Sequence, residues 1–195
     1  NKKNGAVIDV STLRKRIATT PKKTSTWIDS TYGFQFVYPS GLRPSHQFDA
    51  TYLQPGNWSY FGTKDNGRRL VSIELPTTPR KTTVANLRIG VSGDPAVVAQ
   101  CLAVPANADP KSLKTFKNND IIYTYFTAKD AAMSKSIDVE VYRTVHQNRC
   151  YSIELMVNAV NPSVQDPPDT DAMKPDLAMK RLNALWRQMD FRWLP

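Results

Sequence analysis

Cys101 and Cys150 are the two cysteines of the 195-residue chain, and His46 and His146 are its two histidines. A thiol nucleophile needs a low-pKa cysteine beside an imidazole. Cys150 is close to His146 in sequence, but closeness across a turn does not make a catalytic pair. No CxxC spacing occurs, so a zinc site or a redox motif lacks support. Two readings of the cysteines stay open. One is a structural disulfide, if the protein is exported to an oxidising compartment. The other is two buried small hydrophobes. Both histidines are expected to be exposed, His46 in a loop and His146 at a hairpin tip.

The carboxylates offer two further groupings. Asp166, Asp169, Asp171 and Asp176 gather around a proline-rich stretch. Oxygen ligands for calcium are of this type. The spacing does not follow an EF-hand, however, and the fixed glycine and terminal glutamate are missing. Loop solvation and helix capping are the expected roles. Glu140 and Glu154 fall on facing strands of a hairpin, where paired carboxylates could do acid–base work. Their neighbours Asp138, Ser152 and Tyr142 suggest a wet sheet face instead, with Arg143 a partner for one of them. No GxGxxG or Walker-type loop is present, so a phosphate cradle is unsupported. Arg68-Arg69 and Arg80-Lys81 read as solvated loop charges. The sequence thus assigns no catalytic residue, metal or cofactor.

Charge is the feature that stands out. The net charge is +9. Residues 1–23 hold Lys2, Lys3, Arg14, Lys15, Arg16, Lys22 and Lys23 against Asp9 alone, which is +6 and leaves +3 for the rest. Such asymmetry speaks to partners rather than to fold. Three partners fit a basic arm: anionic lipid, nucleic acid, or an acidic protein on which the arm orders. The arm has no aromatic for base stacking, and apolar residues separate its charge clusters. That mixture suits a protein groove better than a nucleic-acid channel. A solubilising tether is the plain alternative. The first residue is Asn, which is expected of a processed or trimmed chain and slightly favours export.

The elements that position these residues follow from periodicity. Tyr32, Phe34, Phe36 and Tyr38 alternate with Gly33, Gln35 and Val37, a strand with one buried aromatic face that ends at Pro39-Ser40-Gly41. Residues 1–26 lack a sustained apolar period, and 19–26 read as a linker, so the domain is expected from about Trp27. Trp58 and Tyr60 are read as opening a strand, and Asp65-Asn66-Gly67 as a hairpin turn. Val71, Ile73 and Leu75 alternate with Ser72 and Glu74, a strand with one wet face. Leu87, Ile89 and Val91 form the next. Asp94-Pro95 starts a short helix that shows Val97, Val98, Cys101 and Leu102 on one face and stops before Pro105. Residues 121–127 form a strand, and 128–134 a helical or looped connection. Ile137 to Val145 and Tyr151 to Val157 make a hairpin through Gln147-Asn148. A helix over 176–190 carries Ala178, Leu182, Leu185, Trp186 and Met189, and Phe191 to Leu194 adds a short final strand. Antiparallel strands with a terminal amphipathic helix read as α+β.

This ordered set resembles the PsbP-like superfamily, which includes extrinsic photosystem II subunits and bacterial lipoproteins or periplasmic proteins. The resemblance rests on Tyr-Gly-Phe-x-Phe-x-Tyr-Pro-Ser-Gly at 32–41, the helix start at Asp94-Pro95, the hairpin Val139 to Val157, and the closing Met189-Asp190-Phe191. The chain departs from it at Leu42, where tryptophan is usual, and in the long proline-rich stretch 161–175. The resemblance implies an α-β-α sandwich around a mainly antiparallel sheet, over residues 27–195, with a non-enzymatic binding role and no catalytic residue. The expected function is an accessory or assembly protein of a larger bacterial envelope or membrane-associated complex. It would sit in the periplasm or on the extracytoplasmic side of a membrane. Residues 1–26 would anchor it to protein subunits, with an anionic membrane surface as the second candidate partner. A second contact would come from the 43–61 or 159–175 loops. The alternative is a periplasmic small-ligand or metal-binding protein.

Overall fold

Nine strands fall into two antiparallel sheets in the computed structural model, which describes residues 23–48, 56–63 and 66–195. In chain order the strands are β1 (Thr24–Asp29), β2 (Phe34–Pro39), β3 (Arg68–Leu75), β4 (Thr83–Ser92), β5 (Asp109–Asn118), β6 (Ile121–Ala132), β7 (Lys135–His146), β8 (Arg149–Val160) and β9 (Asp190–Trp193). Helix α1 (Pro95–Ala99) follows β4, and helix α2 (Pro175–Gln188) precedes β9. The small sheet has the order β1-β2-β9, and the large one β3-β4-β8-β7-β6-β5. The fold is α+β.

The aromatic strand starts later than its alternation suggests. The Tyr32 N–H donates to Asp29 Oδ1 at 3.0 Å, and Gly33 takes a φ of 65°. The chain therefore turns through 30–33, and glycine is what permits the left-handed step. Phe34 and Phe36 are then fully buried, while Tyr32 and Tyr38 are only half-buried. β1 takes in Thr24 to Thr26, which the sequence places in the linker, because Thr24↔Pro39 through Asp29↔Phe34 is one unbroken register. Asp190 to Trp193 pairs on the other side of β2, as the final strand expected from sequence.

The large sheet is built on the 136–157 hairpin. Gln147 and Asn148 take φ of 46° and 60°, so the tight turn closes His146 onto Arg149. Strands β5 to β8 then form a simple meander, but β4 lies beside β8 rather than β5. The chain must cross from β4 to the far edge of the sheet, and it does so through α1 and residues 100–108. The Asp94 side chain caps α1 by accepting from the Ala96 N–H at 2.8 Å. The helix is shorter than its apolar spacing suggests, and Leu102 is exposed. Cys101 and Cys150 are joined in a disulfide with Cα atoms 5.6 Å apart, which pins this crossover to the start of β8.

Helix α2 packs across β4 and β8. Its stripe of Ala178, Leu182, Leu185 and Trp186 is buried, followed by Met189, against Leu87, Ile153 and Leu155 of the sheet and Phe34, Phe36 and Phe191 of the small sheet. Each large side chain there contributes about 1.5–3 kcal/mol before entropy.

The other sheet face differs most from expectation. Residues 58–61 form bends and turns rather than a strand, and they lie on the sheet. Phe48, Trp58 and Ser59 are buried. A Cβ on Gly90 would come within 1.8 Å of the Trp58 carbonyl oxygen, and one on Gly67 within 2.4 Å of Trp58 Cγ, so both glycines are set by close approach. Gly67 leads into β3 without the positive φ expected of a hairpin turn. Beneath this cover Arg88 and Glu154 are cross-strand partners, with 0% and 1% side-chain exposure and N···O of 2.7 Å. Ser72 is buried, and Ser152 with it, so the wet faces read from Ser72 and from Glu154 are overturned. Polar residues alternating with apolar ones face a second layer here, not water. The 128–134 connection is also corrected: β6 continues through Ala132 and turns at 133–134.

Two expectations follow. Replacing both cysteines by serine should lower the urea unfolding free energy by about 2–4 kcal/mol, given the 49-residue separation. A loss under about 1 kcal/mol would show that the crossover holds without the bond. Glu154→Ala leaves the Arg88 guanidinium buried without its carboxylate and should cost about 3–5 kcal/mol, whereas the joint change Arg88→Met with Glu154→Leu should cost far less. Equal losses in the two variants would refute a burial penalty as the cause.

Candidate functional site

The residues that could do chemistry are sorted by strand register onto opposite faces of the large sheet. Glu140 stands opposite Leu155 on β8, and Glu154 stands opposite Val141 on β7. The two carboxylates are one step out of phase, so they point to opposite faces and cannot act as a pair. This corrects the paired-carboxylate reading of Glu140 and Glu154.

On the covered face Glu154 collects donors from three directions. Arg88 donates from Nε at 3.1 Å and from Nη2 at 2.7 Å, both to Oε2. The Tyr60 N–H at 2.7 Å and the Ser152 hydroxyl at 3.1 Å reach Oε1. Arg143 donates from Nη2 to Ser59 Oγ at 3.1 Å, and its guanidinium lies over Phe126 at 5.3 Å. Burial lowers the Arg143 pKa, and the Glu154 charge opposes that. This network holds residues 58–61 on the sheet.

On the other face Glu140 lies in an open cleft of about 480 Å³ between α2 and the outer strands β5 to β7. Asn183 Nδ2 donates to Glu140 Oε1 at 3.1 Å, and the Tyr142 hydroxyl donates to Oε2 at 3.3 Å. Tyr125 lies close enough for this carboxylate to raise its pKa. Phe116 and Tyr125 pack against the Tyr142 ring, at 5.1 and 4.9 Å between centroids. Lys114, Lys180 and Arg187 line the same cleft. Burial, and then the Glu140 charge, push the pKa of Tyr125 and Tyr142 well above the ordinary 10.

A second cleft, about 1050 Å³, runs between the small sheet and β3, lined by Tyr32, His46, Arg68 and Arg69 among others. Arg68 and Arg69 are thus strand residues at a concavity, not loop charges. His46 is exposed as expected, with Nδ1 2.7 Å from the Leu70 carbonyl oxygen. Arg80 does sit in a loop, and donates to the Pro167 carbonyl at 2.8 Å. Lys81 pairs with Glu74 at 2.8 Å.

The remaining sequence candidates separate. His146 is not free at its hairpin tip. Its ring stacks on Trp193 at 3.9 Å and 3°, and burial holds its pKa below the ordinary 6.5. Cys150 is bonded to Cys101, so a thiol nucleophile beside His146 is overturned. Asp169 is buried against the Thr82 hydroxyl and accepts the Asp171 N–H at 3.3 Å, while Asp176 lies in the first turn of α2. Among the described residues no three of His, Cys, Asp and Glu are grouped as metal ligands. Of the basic arm, Lys2, Lys3, Arg14, Lys15, Arg16 and Lys22 lie outside the described residues. Lys23 is exposed just ahead of β1. The sequence reading missed Arg88. Its signal was present: Arg88 sits inside Leu87–Ile89 and Glu154 inside Ile153–Leu155, two opposite charges each centred in an apolar strand.

An ultraviolet titration tests the tyrosine environment. Tyr60, Tyr123, Tyr125, Tyr142 and Tyr151 all have raised pKa values, chiefly from burial. The unfolded chain therefore loses protons first as pH passes 10, and stability should fall from there upward. These five should stay protonated until the protein unfolds. Their ionisation in the folded protein would contradict the burial.

No family model matches the chain, and no curated protein does. Solved structures similar to it include a crystal structure from Bacteroides thetaiotaomicron VPI-5482, 12% identical with a TM-score of 0.40, covering 86% of this chain and 48% of that one. The chain thus spans about half the length of that protein. The solution structure of cyanobacterial PsbP (CyanoP) from Synechocystis sp. PCC 6803 is 12% identical with a TM-score of 0.41, covering 90% of this chain and 95% of its own. The crystal structure of LpqN, involved in cell envelope biogenesis of Mycobacterium tuberculosis, is 10% identical with a TM-score of 0.38, covering 89% and 87%.

Proposed function

We propose that this chain is a non-enzymatic accessory or assembly protein of a larger envelope or membrane-associated complex, working outside the cytoplasm. The basic segment ahead of β1 serves as its anchor. The observation that carries this reading is the division of charge. Residues 1–23 hold +6 of the +9, while the body's most buried ions, Arg88 and Glu154, neutralise each other. A charged extension on a body of this kind suits capture of an acidic surface. The Cys101–Cys150 bond supports an oxidising compartment. No helix among the described residues is long and apolar enough to cross a membrane.

The second contact is narrowed. The described parts of 43–61 include Phe48, Trp58 and Ser59, which are spent on the sheet. The 159–175 stretch keeps an exposed outer side over 161–164 and 166–168, while Thr83 Oγ1 donates to the Met173 carbonyl at 2.6 Å and fixes its base.

Removing residues 1–22 leaves β1 whole. Co-purification from native membranes should then drop, and for the full chain it should weaken with salt, while the thermal melt of the body stays unchanged. Undiminished capture by the truncated protein would sink the anchor.

A further inference from the structure

We propose that the cleft between β5 and α2 binds a small oxyanion-bearing ligand, a carboxylate or a phosphate. Its charge is taken by Lys114, Lys180 and Arg187, and its body lies against Phe116. Helix α2 buries its apolar stripe over β4 and β8, and Trp186 reaches on to Tyr123 and Tyr142 at 5.7 and 5.6 Å between ring centroids, so this sheet face stays open at its margin, over β5. The register Lys114↔Tyr125 and Phe116↔Tyr123 places Lys114 and Phe116 on that open face, beside the aromatic floor.

Glu140 is the obvious invitation to a cation, but both its oxygens are already engaged, Oε1 by Asn183 and Oε2 by Tyr142. It acts as an internal buttress that ties the Tyr142 hydroxyl to α2. The uncommitted chemistry is at the rim. Three cations line the cleft against one carboxylate, and among the described residues none of the three is ion-paired with an acid. Lys114 Nζ is held over the Tyr125 ring at 4.5 Å, which points it at the cleft rather than into bulk water. The acids on this flank of α2 lie along an adjoining cleft, where Lys129 already pairs with Asp138 at 2.8 Å and Asp176 sits at the start of the helix. Like charges at one concave mouth repel, and an oxyanion relieves that while accepting charge-assisted hydrogen bonds. A volume of about 480 Å³ fits a small molecule. The half-buried Phe116 ring gives an apolar or planar body a surface to lie on.

The test is an NMR titration of the full chain with inorganic phosphate, with benzoate, and with choline as the cationic control. Saturating shifts are expected for phosphate or benzoate at the amides of 114–116 and 180–187, and none for choline. The anion that saturates identifies the source, free phosphate or carboxylate. Lys180→Ala and Arg187→Ala change exposed helix positions and should leave the fold intact by circular dichroism. Each should weaken binding by about tenfold. Failure of both anions to saturate, or affinity unchanged in the double variant, would overturn the site.

Discussion

The structure depends on one buried ion pair. Arg88 and Glu154 face each other across the neighbouring strands β4 and β8, with almost no access to water. Two charges in that position are costly unless every lone pair and proton is met. The sheet alone supplies only Ser152. The backbone of Tyr60 supplies another donor, and the Phe48 ring lies 4.7 Å from the Arg88 guanidinium. The covering segments therefore do two things at once. They dry the pair, which strengthens its attraction, and they complete its hydrogen bonds. The dependence runs both ways. Residues 56–63 have no regular structure of their own, and Glu154, Ser59 with Arg143, and the Gly90 approach to Trp58 are what fix them.

That mutual dependence explains what could be read from sequence. The β7–β8 hairpin was legible because period-two alternation and the Gln147-Asn148 turn are local signals. Helix α2 was legible because its stripe repeats at helical spacing. The fate of Glu154 was not. A period of two separates the faces of a strand but does not say whether the polar face meets water or a second layer. The second layer comes from residues about a hundred positions earlier, in a stretch with no periodicity. β5 was invisible for the opposite reason. Its lysines, aspartate and proline leave it mostly exposed, and it becomes a strand only by pairing along β6 at the sheet edge. An edge strand rich in lysine also discourages further strands from adding.

Register settles the chemistry of the carboxylates. Shifting β7 against β8 by one residue would place Glu140 and Glu154 on one face, and would turn the whole apolar set of the shifted strand to the wrong face as well. The hydrophobic pattern thus holds the two acids apart more firmly than any local contact. Each then has its own environment. Glu154 is dry and paired with arginine. Glu140 is at a wet margin, held by Tyr142 and Asn183. Both are occupied as acceptors, which turns them into structural fixtures and leaves cations as the ionisable groups facing the Glu140 cleft.

The same logic extends to the chain's charge balance. In the interior Arg88 is paired with Glu154, while Arg143 is met by the Ser59 hydroxyl and two aromatic rings. Such contacts are needed there, because a buried charge without them is strongly destabilising. At the surface no such requirement acts: three cations without an acid in an ion pair stand at the rim of the α2 cleft, and residues 1–23 carry seven cations against one acid. Folding explains little of the positive excess: Lys180 and Arg187 are exposed, and Arg187 adds only a small favourable interaction with the helix dipole in the last turn of α2. An excess that folding does not need, placed on a concave surface and in a terminal extension, is the pattern expected when the charge meets something other than the chain itself.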